Sequence, residues 1–214
     1  MSSARKLVVL VSSTVYGIEE LLDRIYTLLT AFDYEVWMSH KGTMPVFSNR
    51  SAFDNCIKAV EKCDLFLGLI TPYYGSGVEP GNISITHQEL LKAIELKKPR
   101  WLLAHDQVVF ARKFLGDLGY KDSDGRGSLK LKTKATSISD LRVIDVYEEA
   151  IRQSEPLRDR KGNWVQKFQS YEDAFLFATA QFSRYQEVEA FIHENLSDPA
   201  KISSMTRQKG GRGE

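Results

Sequence analysis

Two unbroken apolar runs limit this chain to few folds: Lys6 to Val11 (KLVVLV) and Asp64 to Thr71 (DLFLGLIT). A strand apolar on both faces must be covered on both faces, and parallel sheets wrapped by helices meet that condition. The first run stops at Ser12-Ser13-Thr14 and the second at Pro72-Tyr73-Tyr74-Gly75-Ser76-Gly77. Small and hydroxyl residues of this kind suit the handover from a parallel strand to a helix. In open α/β sheets that edge is where ligands bind, at the carboxyl ends of the strands and where the strand order reverses. Ser12, Ser13, Thr14 and Tyr16 are therefore candidates to touch a ligand, with N-capping of the next helix as the alternative for the hydroxyls.

Helical segments alternate with the strands. Ile18 to Phe32 places Ile18, Leu21, Leu22, Ile25, Leu28, Leu29 and Phe32 on one face, and Ala52, Cys56, Ala59 and Val60 mark a second helix over Ser51 to Lys62. Tyr34 to Ser39 and Pro99 to Ala104 supply two further strands. Leu141 to Val146 (LRVIDV) reads as a fifth strand and Tyr147 to Gln153 as a short helix. From Asp106 onward the pattern weakens: Val108 to Tyr120 looks helical, and the polar, basic Lys121 to Ser139 reads as a surface loop or flap. Ser170 to Leu196 carries an aromatic helical stripe, with Ala174 to Ile192 expected to cover the sheet. The expected architecture is an α/β, flavodoxin-like open sheet, mostly parallel, of about five strands. It divides into an α/β domain over 1–153, a helical elaboration over 154–196 and a disordered tail over 197–214.

Charge excludes several functions. With 29 basic and 28 acidic residues there is no global field to draw nucleic acid or an anionic membrane. The alternating Lys130, Lys132 and Lys134 could touch phosphates or an acidic partner, but such a run also reads as an exposed strand edge guarded by lysines. No stretch approaches the roughly 18 apolar residues that span a bilayer, and the short apolar run near the N-terminus lacks a signal-peptide pattern. Cys56 and Cys63, two helical turns and so about 10 Å apart, are too distant for a disulfide. A soluble cytoplasmic protein with reduced thiols is expected. His40 and His87 lack a second ligand at metal spacing, and no metal or cofactor is called for.

Glu89 concentrates the chemistry. The segment SITHQE offers Ser84 and Thr86 as helix N-caps, and Thr86, three residues before Glu89, gives a capping-box spacing that makes Glu89 the third residue of a helix. The helix dipole would there favour the ionised carboxylate. A cap with Thr86, or a solvated face shared with Lys92, is the structural alternative. Tyr73, Tyr74, Gly75 and Ser76 form a loop able to stack on a base or, equally, to plug the core.

Three segments, VVLVSSTVYGIEELLDRI, AVEKCDLFLGLITPYYGS and SITHQELLKAIELKKPRWLLA, resemble a bacterial domain of uncharacterised function often fused to NTPases or repeats. Its marks are SST after the first strand, an Asp-led apolar strand ending in YGS, and a later S-x-T-x-x-E helix. That domain is considered a relative of TIR domains and nucleoside 2-deoxyribosyltransferases, and the resemblance covers residues 6–105. It implies a TIR-like sheet and, in enzymatic members, cleavage of an N-glycosidic bond by one glutamate on the helix after the third core strand. That glutamate falls on Glu89. On this reading Ser12 and Ser13 position a sugar or phosphate, Tyr74 packs on the base, and the ligand is a nucleotide or nucleoside in bacterial stress or defence signalling. The alternative implied by the same resemblance is a non-catalytic module that assembles with itself or a partner.

Overall fold

The computed structural model describes residues 5–75 and 83–185. Five parallel strands form one open sheet in the order β2-β1-β3-β4-β5. They are β1 (Val8–Ser13), β2 (Glu35–Trp37), β3 (Leu65–Ile70), β4 (Arg100–His105) and β5 (Val165–Phe168). This is the flavodoxin-like order, in which direction of growth reverses between β1 and β3. The helices are α1 (Glu19–Ala31), α2 (Ala52–Lys62), α3 (Ile85–Glu95), α4 (Asp106–Asp117), α5 (Ser123–Gly127), α6 (Arg142–Ala150) and α7 (Tyr171–Phe182).

Both sheet faces are covered, as the unbroken apolar runs require. Because side chains alternate along a strand, Val9, Val11, Leu65, Leu67 and Leu69 face a cluster with Leu21, Leu22, Ile25 and Leu29 of α1 and Ala174 and Phe182 of α7. Val8, Leu10, Phe66, Leu102 and Ala104 face the other side, against Cys56, Ala59 and Val60 of α2, Leu90 and Ala93 of α3 and Val143 and Ile144 of α6. Each fully buried large side chain, Phe66 for example, contributes about 1.5–3 kcal/mol of apolar transfer. Cys56 and Cys63 are both buried, unbridged thiols.

Two expectations are corrected. Leu141 to Val146 is not a strand: Arg142–Ala150 is α6, and its buried Val143, Ile144, Val146 and Ala150 recur at helical spacing. β-branched residues dominate the six-residue window and conceal that period, which emerges only when Ala150 is included. The fifth strand comes instead from Val165–Phe168, inside the stretch read as a helical elaboration, and it pairs with β4 from Leu102↔Val165 to His105↔Phe168. An edge strand with only Phe168 buried carries no apolar run to announce it. The flap reading of 121–139 is also modified, because α5 interrupts it, Ile138 is buried, and the Ser139 backbone N–H donates to the Pro72 carbonyl at 2.9 Å. The lysine run lies outside any strand, so no sheet edge is there to guard. The aromatic stripe is helical through Phe182, and its continuation to Ile192 lies outside the described residues.

Candidate functional site

Strand parity decides what the β1 exit can reach. Ser12 shares its face with Val8 and Leu10, the side that packs on α2 and α3, whereas Ser13 shares the face of Val9 and Val11. The Ser12 hydroxyl accordingly donates to Glu89 Oε2 at 2.5 Å. The Ser13 hydroxyl turns back onto the Thr14 and Leu69 carbonyls at 3.0 and 3.2 Å. Thr14 and Thr71 share a hydrogen bond between hydroxyls at 2.6 Å, tying the β1 and β3 exit loops together.

Close packing completes that clasp. Gly75 has φ +93°, and a Cβ there would stand 2.7 Å from Thr14 Cγ2, so both backbone and space demand glycine. Beside it the Tyr16 and Tyr73 rings meet edge to face, their centroids 5.0 Å apart.

Glu89 is not a cap. Ser84 caps α3, its hydroxyl accepting from the His87 backbone N–H, which makes Glu89 the fifth residue of the helix rather than the third. Lys92 pairs with Glu95 at 3.1 Å instead of Glu89. Burial rather than the helix dipole thus governs Glu89, which is 6% exposed. Burial pushes its pKa up, while hydrogen bonds from Ser12 and the Cys56 thiol oppose the rise. Cys56 responds in kind: burial, reinforced by the Glu89 charge, pushes its thiol up to about 12, so it stays a protonated donor. Among the described residues Glu89 makes no ion pair.

These groups surround a cavity of about 890 Å³, within the range that holds small-molecule ligands. Glu89, Ser12 and Cys56 stand on its wall, and Tyr16, with 70% of its surface exposed, and Tyr73 also line it. It sits beside the carboxyl ends of β1 and β3, at the reversal of strand order. Ser13, Thr14 and Gly75 line it too.

Tyr74 takes no part in that wall. It is 3% exposed, and its hydroxyl lies 2.9 Å from His87 Nδ1 and accepts from the Ser84 backbone N–H. The Arg142 guanidinium stands 4.4 Å from its ring centroid. Tyr74 is a core plug, and Tyr73 has the ring facing the cavity. Ser76 lies outside the described residues. The sequence marked Cys56 and Thr86 only as structural residues and gave no sign of Glu19 or Ser139, yet all four line the cavity. For Cys56 and Thr86 the helical stripe was a usable signal; Ser139 arrives from a segment with none. Asn55 is buried too, but its amide is spent on the Phe47, Arg50 and Ser51 backbone, holding the loop before α2.

Among the described residues no group of three or more His, Cys, Asp or Glu side chains could hold a metal, and no helix is long and apolar enough to cross a membrane. Asp64 stands at the opposite sheet edge, where it accepts from the Val8 backbone N–H at 2.8 Å and pairs with Arg5. Residues 8–173 match a family described as a domain of unknown function (DUF4062), a span that includes the SST, YGS and S-x-T-x-x-E segments. No curated protein matches the chain.

Proposed function

We propose that this chain, which belongs to the DUF4062 family, binds a nucleoside or nucleotide in the β1/β3 cavity and cleaves its N-glycosidic bond through Glu89. The observation that carries this reading is a buried carboxylate with no cationic partner among the described residues, held by two donors on the wall of a ligand-sized cavity. Such a group is costly to keep in a fold and is characteristic of sites that perform chemistry. The resemblance to TIR domains and deoxyribosyltransferases supports the same residue, and a place in bacterial stress or defence signalling rests on that resemblance alone.

The chemistry follows from charge. As the bond from the anomeric carbon to the base nitrogen breaks, its electron pair leaves with the base and positive charge grows on the sugar. An ionised Glu89 in a poorly hydrated wall stabilises that charge more than water would. Ser12 and Cys56 aim the carboxylate and favour its ionised form, Tyr16 and Tyr73 offer faces for the base, and water or a second base completes hydrolysis or transfer. Because burial raises the pKa of Glu89, turnover is expected to rise with pH as the carboxylate ionises.

Mass-spectrometric product analysis tests the reading, with wild type and Glu89→Gln incubated with NAD, nucleosides and nucleotides. Base release by wild type, reduced at least about 10³-fold in the variant, supports it. No turnover by folded wild type defeats the catalytic reading and leaves an assembly module of the same fold, for which the exposed, stacked Phe110 and Phe114 of α4 offer a surface outside the cavity.

A further inference from the structure

Arg100, the first residue of β4, is a half-buried guanidinium that meets no carboxylate among the described residues. Its Nη2 donates to the Lys161 carbonyl at 2.9 Å and its Nη1 to the Lys98 carbonyl at 3.4 Å. Each Nη therefore keeps one N–H that no described atom accepts, and the buried Nε–H has no acceptor either. Gly162 packs against this head, because a Cβ there would stand 2.7 Å from Nη2 and 2.9 Å from Cζ, and its φ of +64° also asks for glycine. Burial, and after it the charge of Arg152, pulls the Arg100 pKa down, the direction of a cation whose charge is not offset.

The α6–β5 connection adds cations to that head. Arg152, in the left-handed region at φ +57°, pairs with Glu155 at 3.2 Å. Arg160 donates to the Glu155 and Gln153 carbonyls at 2.8 and 3.0 Å and, like Lys161, forms no ion pair among the described residues. Arg158 and Asp159 pair with each other. Arg100, Arg152, Arg160 and Lys161 thus share the one carboxylate of Glu155, a local excess in a chain whose formal net charge is only +1. Backbone carbonyls fix the Arg100 and Arg160 heads without neutralising them, and an anion would complete the set. Guanidinium forks match phosphate oxygens bidentately. A phosphate monoester, at about −1.5 to −2 charge near neutral pH, offsets more of this excess than a single carboxylate would.

We infer that Arg100, Arg160 and Lys161 form a phosphate-binding site where the α6–β5 connection meets the start of β4, at the sheet edge opposite the Glu89 cavity. The phosphate is carried either by a small compound or by a nucleic-acid strand. This site is separate from the cavity and does not depend on the role of Glu89. Arg100 supplies fixed N–H donors, and Arg160 and Lys161 supply charge. Trp164, two residues beyond Gly162 and 73% exposed, lies close enough in the chain to report occupation.

Calorimetry and tryptophan fluorescence on the full chain at low salt test it, with pyrophosphate, a thymidine oligonucleotide and poly-glutamate titrated into wild type, Arg100→Gln and Lys161→Glu. Lys161 is exposed and holds Arg100 through its carbonyl, which the substitution keeps, so Lys161→Glu is expected to fold even if Arg100→Gln does not. Pyrophosphate is expected to bind wild type with a Kd below about 1 mM, at least about tenfold more weakly in Arg100→Gln and about threefold more weakly in Lys161→Glu. Oligonucleotide binding at least as tight, with the same sensitivity to both variants, would support the site and assign it to a strand. Pyrophosphate binding without it would support the site and assign it to a small phosphate compound. Poly-glutamate binding more tightly than both phosphate probes would overturn the choice of phosphate in favour of an acidic protein. Phosphate binding that survives the substitutions, or none by folded wild type, would overturn the site itself.

Discussion

Arg126 and Glu89 are both buried charges, 3% and 6% exposed, yet the fold treats them in opposite ways. Around Arg126, α5 and α6 gather two carboxylates: Nη2 donates to Asp145 at 2.6 Å and to Glu148 at 2.7 Å, and Nη1 donates to the Lys121 carbonyl. Burial alone would lower the pKa of Arg126, but its hydrogen bonds to Asp145 and Glu148, with the charges of those two carboxylates, outweigh it and the net direction is upward. Around Glu89, by contrast, stand a hydroxyl, a thiol and a cavity, and burial prevails. A buried charge matched by its opposite holds elements together; one left unmatched beside a cavity is poised to meet positive charge supplied by a ligand.

Removing the matched charge should be the costliest change. Arg126→Ala leaves Asp145 without its guanidinium and Glu148 with Arg112 alone, and urea denaturation is expected to show a loss of about 3 kcal/mol. A loss below about 1 kcal/mol would mean that the cluster is solvated and the contrast with Glu89 is empty. An intermediate cost is expected where the two exit loops clasp. Gly75→Ala drives a Cβ against Thr14 from a positive-φ position, and thermal unfolding should report about 2 kcal/mol of destabilisation.

Glu89→Gln should have the smallest effect on stability, and in the opposite direction. A carboxyl whose folded pKa is raised above its unfolded value of about 4.5 binds more protons folded than unfolded between those two values. Its contribution is fully present below the unfolded value and is lost as pH rises through the folded one. Wild type should lose stability over that window and Glu89→Gln should not, leaving the variant about 1 kcal/mol more stable at neutral pH. A less stable Glu89→Gln protein with the wild-type pH slope would make Glu89 an ordinary structural acid and erase the comparison.

Legibility followed locality. The runs KLVVLV and DLFLGLIT are strands because each reads as two-sided burial within six residues, and the stripe from Leu21 to Leu29 is a helix because its period is complete within one segment. LRVIDV misled because a window of six residues fits either period, and the fifth strand was hidden because its burial comes from β4 on one side only. Within the site, the exit loop of β1 as a cavity wall was readable, but the choice between Tyr73 and Tyr74 was not. Adjacent residues of a loop point to different places, and only the packing of His87 and Arg142 around Tyr74 decides which is the plug.

The chain's own patterning determined an α/β sheet covered on both faces, since alternation, apolar runs and helix stripes are properties of neighbours in sequence. Tertiary structure alone decided that Glu89 is buried and uncapped. Its environment is set by Ser12, 77 positions earlier, and by Cys56 on another helix. Desolvation depends on what surrounds a carboxylate in space, and that is fixed only when β1, α2 and α3 close around the same point.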